Sequence, residues 1–116
     1  MRSQDSFLRL LFLGDIVGDP GRTAVISQLP LLKEEFSLDF IVVNGENTAA
    51  GRGITPKIAI ALMRAGAAVI TSGDHIWDQR DIVPYIDTEP RLLRPINYPP
   101  GVPGNGTIVL ETPKAK

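Results

Sequence analysis

Three times in this sequence an apolar run stops abruptly at side chains that carry oxygen or nitrogen. LFLGD ends at Asp15, IVVNGEN reaches Asn44, Glu46 and Asn47, and VITSGDH reaches Asp74 and His75, the chain's one histidine. Two carboxylates could work as an acid-base pair, but three acids with Asn and His resemble a site for hard or borderline divalent cations. Without a cation such carboxylates repel one another. Each residue also has a plain structural reading. Asp15 could cap a turn, Glu46 could be a solvated loop acid, and Asn44 could satisfy backbone groups. Asp78 reads as the N-cap of a short helix and Trp77 as a packing residue. No single motif is strong; the same role recurring at three successive runs is what favours a site.

The elements that must position these residues follow from the apolar pattern. Residues 7–13, apolar apart from Arg9, read as a buried strand ending at Gly14 and Asp15. After the turn GDIVGDPG, residues 22–36 place Val25, Ile26, Leu29, Leu32 and Phe36 on one helical stripe. Pro30 inside that stripe predicts a kink or an early stop. Residues 39–43 form a second strand. Thr55 and Pro56 provide a cap and first position for a second helix that stops at Gly66, and residues 67–71 form a third strand. Two strand-helix-strand units in tandem predict an α/β fold, a mostly parallel sheet with flanking helices joined by right-handed crossovers. In such a sheet the carboxyl ends of adjacent strands face one crevice, so Asp15, Asn44, Glu46, Asn47, Asp74 and His75 should meet there. Beyond Asp78 the chain turns proline-rich: a short helix over 78–86, an extended loop through EPRLLRPINYPPGVPGNG, and a fourth strand over 106–112. That last strand has no helix after it, although parallel sheets are normally covered on both faces.

Composition narrows the classes. The length suits a single domain spanning 1–116. Hydrophobic residues at 43% and charged residues at 22% exclude a charge-dominated disordered chain. A net charge of -1 gives no global field for nucleic acid or an anionic membrane. The first apolar stretch is too short to span a bilayer, and Gly14-Asp15 follows it instead of a cleavage site; a cytoplasmic location is the default. The absence of cysteine excludes disulfides and thiolate zinc sites. Neither glycine-rich stretch, GDIVGDPG or AAGRGITP, fits a dinucleotide fingerprint or a Walker loop, and no serine sits in a G-x-S-x-G turn.

At LFLGDIVGDPGR, DFIVVNGENTAAGRGITP, GDHIWD and RPINYPPGVPGNG the sequence resembles the metallophosphoesterase superfamily, and more closely its YmdB-like bacterial branch of dinuclear-metal phosphodiesterases. The resemblance covers nearly the whole chain. It implies half of an α/β sandwich, a site for two divalent metal ions, iron or manganese, and hydrolysis of phosphodiesters such as 2′,3′-cyclic nucleotides. Carried over by position, Asp15 resembles a ligand to the first metal and Glu46 the carboxylate bridging both. Asp74 falls where the family usually has an Asn on the second metal. Asn47 resembles the residue that orients the phosphate, and His75 the general acid beside it.

Two departures bear on these expectations. Asp in place of Asn at 74 adds a negative charge, which should tighten cation binding and weaken polarisation of phosphate. Family members are also longer, with their remaining ligands, histidines, in a part that has no counterpart here. The chain therefore reads as the N-terminal half of such an enzyme, with ligands enough for one cation, and as inactive if it stands alone. Two other classes stay open: a non-catalytic module that binds a metal or a nucleotide phosphate, and an interaction protein that forms a homo-oligomer through its uncovered strand.

Overall fold

A computed structural model describes residues 7–114 of the chain. Its elements run β1 (Leu10–Leu13), α1 (Gly18–Glu35), β2 (Phe40–Asn44), α2 (Pro56–Ala65), β3 (Ala67–Thr71) and α3 (Ile82–Ile86). The three strands form one parallel sheet in the order β1-β2-β3, with Leu13 opposite Val43 and Asn44 opposite Thr71. The predicted parallel α/β architecture is what the chain adopts.

Strand order in sequence, with two successive crossovers of the same hand, puts both helices on one face of the sheet. The core agrees. Leu29 of α1, Ile41 and Val43 of β2, Ala59 and Leu62 of α2, and Ile70 of β3 are buried in one cluster. Alternation along β1 leaves Leu11 and Leu13 packed against that cluster and Leu10 and Phe12 more than half exposed on the other face.

α2 begins as the sequence predicts. Thr55 is its N-cap, with Oγ1 accepting from Ile58 N at 3.2 Å; Pro56 takes the first position, and Gly66 closes the end at φ 130°. α1 departs from expectation at two points. It starts at Gly18 rather than at 22, taking in Pro20. Pro20 lies in the first turn, where backbone N–H groups have no helical partner, so its missing donor costs nothing there. The helix also continues through Pro30 to Glu35. The stop predicted at Pro30 does not occur, and buried Leu29 beside it holds this stretch to the core.

The fourth strand predicted over 106–112 is not formed. Residues 107–112 take no regular secondary structure and join no ladder. Ile108, Val109 and Leu110 instead line a groove with Phe40 and Val69, on the sheet face away from the helices. The ladder position beyond β3 is taken by a single parallel bridge between Ile70 and Leu92, with Leu93 bridging Asn105 in turn. Lys114 ties the far end of this segment back, its Nζ donating to Phe7 O at 3.1 Å and Asp39 Oδ2 at 3.2 Å. Among the described residues no helix is long and apolar enough to cross a membrane.

Candidate functional site at the strand ends

The carboxyl ends of β1, β2 and β3 lead into three loops that are fastened to one another by the backbone. Gly45 N donates to Thr71 O at 2.9 Å, joining the β2 and β3 exits. Gly18 N donates to Asn47 O at 3.2 Å, joining the β1 and β2 exits. Asn44 reinforces the junction, with Nδ2 on Thr71 Oγ1 and Oδ1 accepting from Glu46 N, both at 3.2 Å. This is the backbone-satisfying role its position predicts.

Glu46 is placed by a close approach. Its carboxylate lies directly over Gly73, where a Cβ would overlap Oε2 and come within 2.7 Å of Cδ. Only glycine leaves room for the acid there. Asp74 follows immediately, its side chain 83% exposed, with Oδ1 3.7 Å from His75 Nε2. The other ring nitrogen of His75 faces Asp78, Nδ1 to Oδ2 at 2.9 Å.

Asp15 sits on the β1 exit, exposed, with φ 56°. Left-handed backbone is uncommon outside glycine, and such strain concentrates at functional sites. Asn47 is bound into its own loop. With its amide nitrogen turned toward the carbonyls that need a donor, it serves Glu46 O at 3.2 Å and Gly51 O at 3.1 Å. The free polar atom is then Oδ1, an acceptor. Donation to a phosphate would require the amide to turn and release both carbonyls.

The structure thus brings Glu46 against the Gly73-Asp74-His75 turn and holds the Asp15 and Asn47 loops beside it. It does not close them into a cage: among the described residues no three His, Asp or Glu side chains form a group able to hold a metal ion. The donor chemistry, carboxylates with an amide oxygen, suits a hard or borderline divalent cation. The number of converging donors falls short of a two-metal centre.

Two participants were not evident from sequence. Asp78 is not the N-cap of α3, which begins after Asp81; its carboxylate is committed to His75 and, at 3.4 Å, to Arg52 Nη1. The signal available was the i, i+3 spacing of His75 and Asp78 in one turn. Arg52 arrives on a loop with left-handed backbone at Ala50, Gly51 and Gly53. At Gly53 a Cβ would stand 2.6 Å from His75 O, so the loop can press on the histidine turn only with glycine there. Trp77 packs on the core as expected, tilted against Tyr98 with ring centroids 6.3 Å apart.

A parallel α/β sheet with acids and a histidine-carboxylate pair on its strand ends defines the class: an open α/β protein with a polar crevice at the carboxyl ends of its strands. Residues 11–116 match the YmdB-like protein family, and the chain belongs to it. It is 48% identical over 99 residues to the 2′,3′-cyclic-nucleotide 2′-phosphodiesterase of Bacillus subtilis, covering 85% of this chain and 38% of that one. Two crystal structures superpose with a TM-score of 0.82 over 90% of this chain. One is a hypothetical protein from Thermus thermophilus, 38% identical, with 40% of its chain covered. The other is a novel phosphatase from Mycoplasma pneumoniae, 33% identical, with 38% covered. The chain therefore spans about two fifths of the length of these relatives.

Proposed function

We propose that these strand ends belong to a metal-dependent phosphodiesterase site whose substrates are 2′,3′-cyclic nucleotides or related phosphodiesters. The observation that carries this reading is the seating of the Glu46 carboxylate on Gly73 beside Asp74 and His75, in a chain of the YmdB-like family. Asp15, Glu46 and Asp74 would hold cations, iron or manganese, with further ligands from outside the matched two fifths. Two such ions, when bound, supply an activated hydroxide and neutralise the charge gathering on phosphorus. His75 holds a proton at Nε2, on the side facing Asp74, and passes it to the departing ribose oxygen as the P–O bond breaks, the bond's electron pair staying on that oxygen. Asn47 keeps the Glu46 loop in register through its amide.

A second reading, a module that binds a metal or a nucleotide phosphate without turnover, is favoured by the lack of a three-donor group among the described residues. One experiment separates the two. The purified chain is incubated with Mn²⁺ or Fe²⁺ and a chromogenic phosphodiester. Metal-dependent turnover abolished by Asp15→Ala supports the enzyme, whereas saturable metal binding without turnover supports the module.

A further inference from the structure

We propose that the cavity between α2 and α3 is a binding site for a small organic anion, a carboxylate or phosphoryl group carried on a compact apolar body. The cavity holds about 260 Å³ and is lined by Ile60, Met63, Arg64, Tyr85, Glu89 and Arg91. Small-molecule sites start at roughly 300 Å³, so the ligand must be compact. Ile60, Met63 and Arg64 stand at i, i+3 and i+4 and share one face of α2, while Tyr85 comes from α3. Arg91 is fixed through its carbonyl, which accepts from Ile70 N of β3 at 2.8 Å. None of these residues belongs to the loops at the strand ends, so the inference does not depend on the reading of the crevice.

Donors are left over around this space, and acceptors are not. Glu89 is committed: its Oε2 accepts from Arg91 N at 3.1 Å and stands 3.7 Å from Arg91 Nε. Among the described residues the terminal nitrogens of Arg91, the Arg64 guanidinium and the Tyr85 hydroxyl have no hydrogen-bond partner. Two guanidinium groups against one carboxylate leave one positive charge uncompensated, which a monoanion would balance. Burial first and Glu89 second push the Tyr85 phenol above its ordinary value, against the opposing pull of Arg91, so it remains a hydroxyl able to donate at neutral pH. Ile60, more than a third exposed, and Met63 supply the apolar wall. Arg64 in the last turn of α2 also suits the helix dipole. That accounts for one cation there, but not for an unbonded phenol and a second guanidinium across an apolar wall; a few converging polar groups on such a wall are what a ligand site requires.

Met63 places a reporter in that wall. Labelling the full chain with ¹³C-methyl methionine gives two methyl signals, from Met1 and Met63, and Met63→Leu assigns them. The chain is then titrated with benzoate, benzyl phosphate and benzyl alcohol, which share a ring and differ in head group. The expected result is a saturable shift of the Met63 methyl with benzoate or benzyl phosphate, the tighter of the two identifying the head group, and no saturation with the neutral alcohol. Arg64→Ala should weaken the tighter ligand by at least about tenfold, the loss of a charge-assisted contact, and Tyr85→Phe by roughly three- to tenfold, the loss of a neutral one. If Arg64→Ala does not fold, Arg64→Gln keeps most of the stem and is read the same way. A shift that stays linear in ligand, one that benzyl alcohol reproduces, or an affinity unmoved by loss of the Arg64 charge overturns the proposal. No metal or phosphodiester enters the measurement, so its outcome is separate from that of the phosphodiesterase assay.

Discussion

Gly73→Ala separates the site from the fold. Gly73 needs no left-handed backbone, so alanine there meets no conformational barrier and restricts the unfolded chain, a gain of roughly 0.4–1 kcal/mol. Against this stands a clash with one side chain: the new Cβ would overlap Glu46 Oε2 and come within 2.7 Å of its Cδ, well inside the carbon–carbon contact distance of about 3.5 Å. The atoms in the way are the far end of a flexible acid, which can swing toward solvent. Net stability should then stay within about 0.5 kcal/mol of the parent, the range of an innocuous substitution. The carboxylate, however, must leave its place by more than about 1 Å, because Oε2 overlaps the new Cβ more deeply than Cδ does. Displacing a group that orients or ligates a cation typically costs about 10–100-fold in affinity, or about 1.4–2.7 kcal/mol. Urea unfolding gives the first number, and titration with Mn²⁺ followed by the electron paramagnetic resonance of the free ion gives the second. Unchanged Mn²⁺ affinity in a folded Gly73→Ala chain would refute the placement of Glu46 as a ligand. A stability loss above about 2 kcal/mol would show that Gly73 serves packing instead.

Other substitutions test the neighbouring groups. Asp15→Gly relieves a left-handed φ of 56° and should hold or raise stability by up to about 1 kcal/mol in urea, while lowering Mn²⁺ affinity; a variant that binds as the parent does would release Asp15 from the site. Asp74→Asn removes a negative charge beside Glu46 and should loosen cation binding while raising metal-dependent turnover, so equal or slower hydrolysis of the chromogenic diester counts against the assignment. Tyr85 tests the pH dependence of the fold. Its phenol is pushed above the ordinary value by burial first and by the Glu89 carboxylate second. The folded state therefore keeps a proton that the unfolded chain loses, and this contribution is complete below about pH 10 and fades as pH rises through the folded value. Tyr85→Phe should flatten the fall of stability above that pH, measured by urea midpoints; an unaltered slope would assign the fall to other groups.

What could be read in the sequence divides along a physical line. β2, α2 and β3 were legible almost to the residue, because each is governed by local rules: a continuous apolar run for a buried strand, and Thr55-Pro56 and Gly66 as start and stop signals for the helix. Pro30 misled because the rule against interior proline concerns an isolated helix, whereas α1 is held along its length by Leu29 and its neighbours in the core. Residues 106–112 misled in the other direction. Their apolar character is real and is used, but against the open face of the sheet, and nothing in a local pattern distinguishes covering a face from extending an edge. Leu92 and Leu93 take the edge with two residues, too short a stretch for any period to show.

The site divides the same way. That acids end each strand follows from the order of residues, and the crevice rule alone brings them to one side of the sheet. How they are held does not follow, since it depends on contacts between loops 26 to 27 residues apart: Asn44 on Thr71, Arg52 on Asp78, Gln79 on the Arg52 carbonyl. Asp78 shows the consequence most clearly. By local preference it is an N-cap, but a cap is satisfied by any nearby N–H, and the imidazole three residues earlier is the stronger donor for an ionised carboxylate. The helix start moves on past Asp81, and the aspartate is released from a local structural duty to act on the one titratable ring in the crevice. Asp78→Ala should accordingly leave α3 intact while altering His75, the reverse of what a capping residue would do.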